Sequence, residues 1–181
     1  MRAEFLGPPT SGKSTLYRIL RDRGITSGKN IECKAVPAEW KPFGQFIERV
    51  YGERFPSLKA KSLRALRLAS AARGKDWVIF DELIFQFGLS LGIRIPEYEE
   101  RYFREAPAPD LLIVLSTKEK GLKKRNGQRL DRDRFKKTLR AVECIERVMP
   151  IIRERGIRVV EFDTSVQGKK EIVNEVMKCL K

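Results

Sequence analysis

The sequence of 181 residues contains no histidine. This absence excludes Ser-His-Asp and Cys-His catalysis, zinc sites built on imidazole, and a histidine proton shuttle. Any chemistry must therefore use carboxylates, lysine, arginine and backbone amides, with or without a hard metal ion.

Cysteines and long apolar runs are also scarce. Cys33, Cys144 and Cys179 are widely separated and form no Cys-x-x-Cys pair, which argues against a zinc ribbon or a thioredoxin-type site. We expect three reduced and mostly buried thiols. The longest apolar run, residues 111–115, is too short to span a bilayer, and we expect no signal peptide before the apolar residues 3–6. The expectation is a cytoplasmic protein without a membrane partner, either a monomer or a homodimer.

Acidic residues are few relative to basic ones. The chain has 38 Lys and Arg against 24 Asp and Glu, a formal net charge of +14. This balance favours polyanionic partners such as nucleotides or nucleic acid, although charge alone does not choose between them.

Strand and helix patterns alternate along the chain, which predicts βαβ units around a mostly parallel sheet in one domain covering residues 1–181. Strands are predicted at residues 2–6, 31–36, 77–80, 111–115 and 157–162. Helices are predicted at residues 13–23, 57–73, 83–91, 131–155 and 167–180, with Pro150 expected to kink or divide the fourth. Residues 37–56 are rich in aromatic side chains and predict a mixture of loop and short helix.

A phosphate-binding loop is the most specific motif. The residues that match G-x-x-x-x-G-K-[ST], preceded by a strand and followed by a helix, are Gly7, Pro8, Pro9, Thr10, Ser11, Gly12, Lys13 and Ser14. We expect them, with Thr15, to bind ATP phosphates through backbone amides and the positive end of the helix. Lys13 would reach the β- and γ-phosphates, and Ser14 would offer its hydroxyl to Mg²⁺. The alternative is an ordinary glycine turn before a helix.

Two carboxylates, Asp81 and Glu82, follow the apolar strand at residues 77–80. Such a strand delivers a carboxylate beside the phosphate site, so Asp81 is a candidate Mg²⁺ ligand and Glu82 a candidate base. The alternative is that both merely cap the next helix.

A basic segment follows the strand at residues 111–115. Residues 118–140 contain eleven basic and three acidic side chains. The segment begins at the carboxyl end of a strand, where ligands bind in open α/β sheets. We predict a lid over ATP at about residues 118–134, in which Arg125 and Arg129 contact phosphoryl oxygens as catalytic residues. The alternative is a solvated charged face.

Together these features resemble the P-loop nucleoside and nucleoside-monophosphate kinases, most nearly the thymidylate-kinase-like group. The resemblance rests on residues 4–15, 78–82, 109–116 with their arginine-rich continuation, and 159–165. It implies a three-layer αβα fold with a five-stranded sheet of order 2-3-1-4-5, ATP as donor, Mg²⁺ and an arginine-bearing lid. It also assigns Lys13, Ser14 and Asp81 to phosphate and magnesium roles, and it places the last stretch beside the adenine.

The acceptor region departs from this family. Its members often carry an arginine directly after the carboxylate that follows the third strand, whereas this chain has Asp81-Glu82-Leu83. Aromatic residues that could stack on an acceptor base or belong to the core are Trp40, Phe43, Phe46 and Tyr51, and Glu39 could accept a hydroxyl proton.

Three functions follow from these patterns. The first is a phosphotransferase that moves the γ-phosphate of ATP to a nucleoside or nucleotide. The second is a polynucleotide kinase acting on 5′-hydroxyl ends of DNA or RNA, motivated by the net charge and by the absence of acidic residues in 57–75. The third is a P-loop ATPase or nucleic-acid-binding switch without a phosphate acceptor, motivated by Glu82.

Overall fold

The computed structural model describes residues 1–117 and 132–181. The five strands of this part are β1 (Arg2–Leu6), β2 (Thr26–Ser27), β3 (Val78–Phe80), β4 (Leu111–Ser116) and β5 (Val159–Asp163). Its seven α-helices are α1 (Lys13–Asp22), α2 (Lys41–Tyr51), α3 (Pro56–Ala71), α4 (Ile84–Arg94), α5 (Glu99–Glu105), α6 (Arg132–Glu154) and α7 (Lys169–Cys179). Within these ranges, no helix combines the length and the apolar character that crossing a membrane requires.

The strands form one parallel sheet in the order β2-β3-β1-β4-β5, which confirms the predicted order. β1 lies at the centre, with Glu4 opposite Phe80 of β3 and Leu6 opposite Val114 of β4. Because all strands run in the same direction, the segments after β1, β3 and β4 meet at one edge of the sheet.

Helices cover both faces of the sheet and give three layers. Alternate residues of the central strands face opposite sides, so Phe5 and Ile113 pack against α1 and α7, whereas Leu6 and Leu112 pack against α2 to α6. β1, β3 and most of β4 are therefore buried on both faces. β3 and β4 are accordingly near-continuous apolar runs in the sequence, whereas β1 also contains Arg2 and Glu4, which form a buried ion pair at 2.9 Å. The fold is a three-layer αβα P-loop fold.

The predicted position of the second strand, residues 31–36, is wrong. The sheet is completed by Thr26 and Ser27 beside Val78 and Ile79, and residues 31–36 lie outside it, mostly exposed. A two-residue strand has too few side chains to show an alternating pattern. Gly28 then passes so close to β3 that an added Cβ would lie 2.1 Å from the Phe80 ring, which fixes where the strand ends.

Other predictions need smaller corrections. Residues 37–56 do combine loop and helix, with α2 at 41–51 between two turns, as predicted, whereas α5 is a helix that the sequence patterns do not indicate. α6 is not divided at Pro150, because its apolar residues continue to pack on the sheet beyond that point. Cys144 is buried and Cys179 partly so, but Cys33 is exposed, which contradicts the expectation of mostly buried thiols for that residue.

Candidate active site

The predicted phosphate loop connects β1 to α1 at the edge where the central strands end. Gly7 is packed so tightly that an added Cβ would lie 2.8 Å from both the carbonyl oxygen of Leu115 and the Oγ atom of Ser11. Its N–H donates a 3.3 Å hydrogen bond to Oε1 of Gln86 in α4. The start of the loop is thus fixed by β4 on one side and by α4 on the other.

The loop then curls before the helix starts. Thr10 and Gly12 both have positive φ angles, +65° and +100°, and the N–H of Ser11 donates a 3.2 Å bond to the carbonyl oxygen of Pro8. Within the described residues, no side chain caps the start of α1, and its first turn contains no acidic residue. The positive end of the helix dipole therefore remains available for an anion.

The ammonium group of Lys13 is buried against the loop. Its Nζ donates to the carbonyl oxygens of Gly7 at 2.7 Å and Pro8 at 3.0 Å. Burial lowers the pKa of Lys13 to about 8, against the opposing charges of Asp81 and Glu82. Two of the three ammonium donors are used by the loop, which leaves one for a phosphate oxygen.

The two carboxylates stand at the end of β3, next to the phosphate loop. Asp81 is half-buried, and its Oδ1 atom is buried without a hydrogen-bond partner among the described residues, whereas Glu82 is exposed. Neither side chain caps α4: the capping position is Leu83, and no side-chain cap is present in the described structure there. The capping alternative is therefore wrong, and the carboxylates face the site.

Asp81 and Ser14 line one small cavity of about 220 Å³, which we call the Ser14 cavity. An exposed hydroxyl and a buried carboxylate oxygen without a partner are the kind of oxygen ligands that Mg²⁺ accepts, so these residues fit the ion that the fold implies. The described residues contain no cluster of three or more acidic or cysteine side chains that could bind a metal. Phosphate and water oxygens would have to supply the remaining ligands.

A second cavity, of about 500 Å³, lies between the phosphate loop and the turn that follows β5; we call it the Thr164 cavity. Thr10, Gly12 and Thr15 line it from one side, and Thr164 and Gln167 from the other. It lies where the resemblance to P-loop kinases places the adenine, at the stretch 159–165.

A third cavity, of about 560 Å³, lies on the other side of the carboxylates; we call it the α3 cavity. Its walls come from α3, from the turn after β2 and from the residues that follow β3. Lining residues that the sequence patterns did not single out are Tyr17, Lys29, Lys61, Arg64 and Phe87. The one available signal was the acid-free composition of the helix that carries Lys61 and Arg64.

The aromatic residues considered for the acceptor lie elsewhere. Phe43, Phe46 and Tyr51 are buried in the core against α5, and Trp40 lies between the guanidinium groups of Arg2 and Arg73. Glu39 pairs with Arg73 on the surface. None of these side chains lines the cavities that adjoin the phosphate loop among the described residues. The predicted lid arginines, Arg125 and Arg129, lie outside the described residues.

The structure was compared with known proteins. No protein-family model matches the sequence, and a comparison with curated proteins finds no match either. Among solved structures, the deoxyadenosine kinase of M. mycoides with bound dATP is 15% identical, with a TM-score of 0.63 and coverage of 99% of both chains. The YorR protein of Bacillus subtilis in complex with phosphorylated GDP is 17% identical, with a TM-score of 0.61 and coverage of 99% of this chain and 95% of that chain.

The thymidylate kinase of Candida albicans is also similar, at 15% identity and a TM-score of 0.61, with coverage of 99% of this chain and 90% of that chain. At sequence identities this low, the similarity shows a shared fold and no more. The resemblance drawn from the sequence motifs is thereby confirmed at the level of the fold, and the chain has the P-loop fold of these nucleoside and nucleotide kinases.

Proposed function

We propose that the protein is an ATP- and Mg²⁺-dependent phosphotransferase that moves the γ-phosphate of ATP to a nucleoside or nucleotide acceptor. The observation that carries this proposal is the unpartnered, buried Oδ1 atom of Asp81, which lines one cavity with Ser14 directly beside the phosphate loop. Burial of a carboxylate oxygen without a hydrogen-bond partner costs free energy, and binding of a cation to that oxygen offsets the cost.

The phosphate loop supports the donor half of this proposal. The uncapped N-terminal turn of α1 and the remaining N–H of Lys13 offer positive charge to the polyphosphate. Thr10 and Thr15 line the Thr164 cavity, which supports binding of the nucleoside part of ATP towards the turn after β5. Mg²⁺ bound by Ser14 and Asp81 would neutralise charge on the phosphates.

The arrangement of the cavities supports transfer of a phosphoryl group between two ligands rather than binding of a single nucleotide. The α3 cavity and the Thr164 cavity lie on opposite sides of the phosphate loop and the carboxylates, so a donor and an acceptor can approach the same point. Phosphoryl transfer requires mainly positioning and charge neutralisation, which Lys13, the metal ligands and the helix end can supply. The solved structures of similar fold include a deoxyadenosine kinase with bound dATP, which supports the binding of a nucleotide.

The test is a transfer assay with γ-labelled ATP, Mg²⁺ and a panel of nucleosides, nucleoside monophosphates and 5′-hydroxyl oligonucleotides. We expect label in at least one acceptor, no label without Mg²⁺, and little free phosphate. Release of phosphate to water at the same rate with and without every acceptor would instead support an ATPase. An enzyme that neither labels an acceptor nor binds ATP in a calorimetric titration would contradict the proposal.

A further inference from the structure

The α3 cavity combines two carboxylates with three cationic side chains. Asp81 and Glu82 stand at its inner end, beside the phosphate loop, and Lys29, Lys61 and Arg64 contribute the positive charge. Lys61 and Arg64 are one turn apart on α3, and both are exposed. Within the described part of the chain, neither forms an ion pair with an acidic side chain. Their charge is therefore available to a ligand.

The carboxylates indicate which group of the acceptor reacts. An acceptor phosphate is already anionic at neutral pH, needs no base, and would be repelled by Glu82, the carboxylate that is not assigned to Mg²⁺. A hydroxyl group is a weak nucleophile that benefits from a carboxylate that accepts its proton. Since Glu82 is exposed and lines the α3 cavity, the geometry favours a hydroxyl as the reacting group.

The cations indicate that the same acceptor is negatively charged at another place. A neutral nucleoside offers no partner to three cationic side chains. An acceptor with both a free hydroxyl and a separate phosphate can place the hydroxyl at the carboxylates and the phosphate at the cationic side chains. A nucleotide unit with a free 5′-hydroxyl and a phosphate on its 3′ side has this chemistry.

The positive surface continues beyond the space of one nucleotide. Lys29 and Asp81 line both the α3 cavity and the Ser14 cavity, so the two are contiguous. The Ser14 cavity adds Arg18 and Arg21 from α1, and Arg21 forms an exposed ion pair with its neighbour Asp22. Exposed pairs of this kind are weak and leave the charge largely available. Several cations along two joined cavities match successive phosphates of a chain.

An aromatic side chain of the cavity can also contribute to binding a single strand. Tyr17, Phe80 and Phe87 line the α3 cavity, but Tyr17 and Phe80 are buried in the core, so the half-buried Phe87 is the ring of this cavity that can meet a base. Stacking on aromatic rings beside a basic groove is the usual way in which proteins bind unpaired bases without strong sequence preference.

We propose that the acceptor is the 5′-hydroxyl end of a single-stranded nucleic acid, which enters the α3 cavity with its backbone phosphates on Lys29, Lys61 and Arg64. This inference rests on the proposed function, because ATP supplies the phosphoryl group. The 5′-hydroxyl gives its proton to the Glu82 carboxylate, and its oxygen forms a bond to the γ-phosphorus. The bond from that phosphorus to the β–γ bridging oxygen breaks, and ADP leaves with the electron pair.

The first experiment compares acceptors that differ only in their phosphates. We expect kcat/KM to rise at least tenfold from a deoxynucleoside to its 3′-monophosphate, and again to an octanucleotide with a free 5′-hydroxyl, because each charged contact contributes about a factor of ten. The same octanucleotide with a 5′-phosphate should accept no label. A deoxynucleoside or a nucleoside 5′-monophosphate that outperforms the octanucleotide would overturn the inference while leaving the proposed function intact.

The second experiment measures binding of a 3′-labelled octanucleotide without ATP. With three phosphate contacts, affinity should fall about 20-fold between 50 and 200 mM salt. Arg64→Ala should weaken binding and reduce the salt slope by about 0.7. Arg67→Ala is the matched control, since Arg67 is exposed on the same helix but lines none of the cavities beside the phosphate loop.

The outcomes separate specific recognition from general attraction. Equal effects of Arg64→Ala and Arg67→Ala, or no measurable binding at 50 mM salt, would overturn the inference. Glu82→Gln should slow transfer to the octanucleotide by at least about 100-fold while leaving ATP affinity unchanged. Absence of both ATP binding and transfer to every acceptor would point to failure of the proposed function itself.

Discussion

The ammonium group of Lys13 donates a 2.7 Å hydrogen bond to the carbonyl oxygen of Gly7, six residues earlier in the chain. The side chain thereby spans the loop and holds its two ends together. The bond also means that the lysine is already in place before any phosphate binds. Two properties of the protein should depend on it, the shape of the loop and its affinity for a polyanion.

Replacement of Lys13 by alanine should remove activity without unfolding the chain. We expect kcat/KM for phosphoryl transfer to fall at least about 100-fold, because a charged donor aimed at the transferred phosphate is lost. The core strands and helices do not depend on this side chain, so the far-ultraviolet circular dichroism spectrum should remain unchanged. Arg67→Ala, which removes an exposed positive charge on α3, serves as the control. Turnover in Lys13→Ala within threefold of the parent would contradict the assigned role.

At alkaline pH, Lys13 should take up a proton when the protein binds a nucleotide. The pKa of Lys13 is lowered from 10.5 to about 8 in the free protein, chiefly by burial. Since its folded pKa is depressed, the unfolded chain binds more protons between pH 8 and 10.5, and the stability of the free protein should rise with pH over that window. A bound polyphosphate restores the protonated form, so binding at pH 9 should take up about one proton.

Calorimetric titrations with ATP in buffers of different ionisation enthalpy measure this uptake. Lys13→Met should abolish most of it, because methionine has a similar length and no titrating group. Equal proton uptake by the parent and by Lys13→Met would show that another group titrates.

Replacement of Asp81 by asparagine should separate stability from activity. The Oδ1 atom of Asp81 is buried without a partner among the described residues, and a neutral amide oxygen is less costly to desolvate than a carboxylate oxygen. We expect the metal-free variant to be as stable as the parent or more stable by up to about 1 kcal/mol. Transfer should nevertheless fall at least about 100-fold, with a higher Mg²⁺ concentration needed for half-maximal rate.

Thermal unfolding with and without Mg²⁺ and ATP provides the measurement. The parent should gain stability from Mg²⁺ with ATP, whereas Asp81→Asn should gain less. Ser14→Ala is the matched variant, since it removes the other expected ligand from the same cavity. A variant of Asp81 that is strongly destabilised but keeps its Mg²⁺ dependence would indicate a structural role for this carboxylate.

The sequence was sufficient to predict most of the sheet. β3 and β4 are buried on both faces and form apolar runs, β1 is recognisable because the phosphate-loop motif follows it, and the order of the strands followed from the resemblance. The position of the loop between β1 and α1 was likewise predictable, because its residues are contiguous in the chain. β2 was misplaced because pairing with β3 depends on contacts at Gly28 that no local pattern shows.

The α3 cavity, where we propose that the acceptor binds, could not be predicted for a different reason. Tyr17 comes from α1, Lys29 from the turn after β2, and Arg64 from α3, so the α3 cavity exists only after folding. Each residue taken alone is typical of an ordinary exposed or packed helix position. The aromatic residues in 40–51 resemble a stacking surface in the sequence, yet their density reflects the packing of α2 on the core.

Gly28 offers a test of how tightly the fold controls the α3 cavity. An added Cβ there would lie 2.1 to 2.8 Å from atoms of the Phe80 ring, which itself lines the cavity. Gly28→Ala should therefore displace the ring or the turn and destabilise the protein by about 1–3 kcal/mol. KM for the acceptor should increase more than KM for ATP, because the Thr164 cavity lies on the other side of the phosphate loop.

Gly44→Ala is the matched control. Gly44 lies within α2, and an added Cβ would meet Leu66 at 3.5 Å, an ordinary van der Waals distance. Alanine is the better helix former, so this variant should be more stable by about 0.5–1 kcal/mol and unchanged in both KM values. Denaturant unfolding and steady-state kinetics on the two variants give the comparison. If Gly28→Ala were as stable as the parent and altered neither KM, the close approach of this turn to Phe80 would not control the shape of the acceptor site.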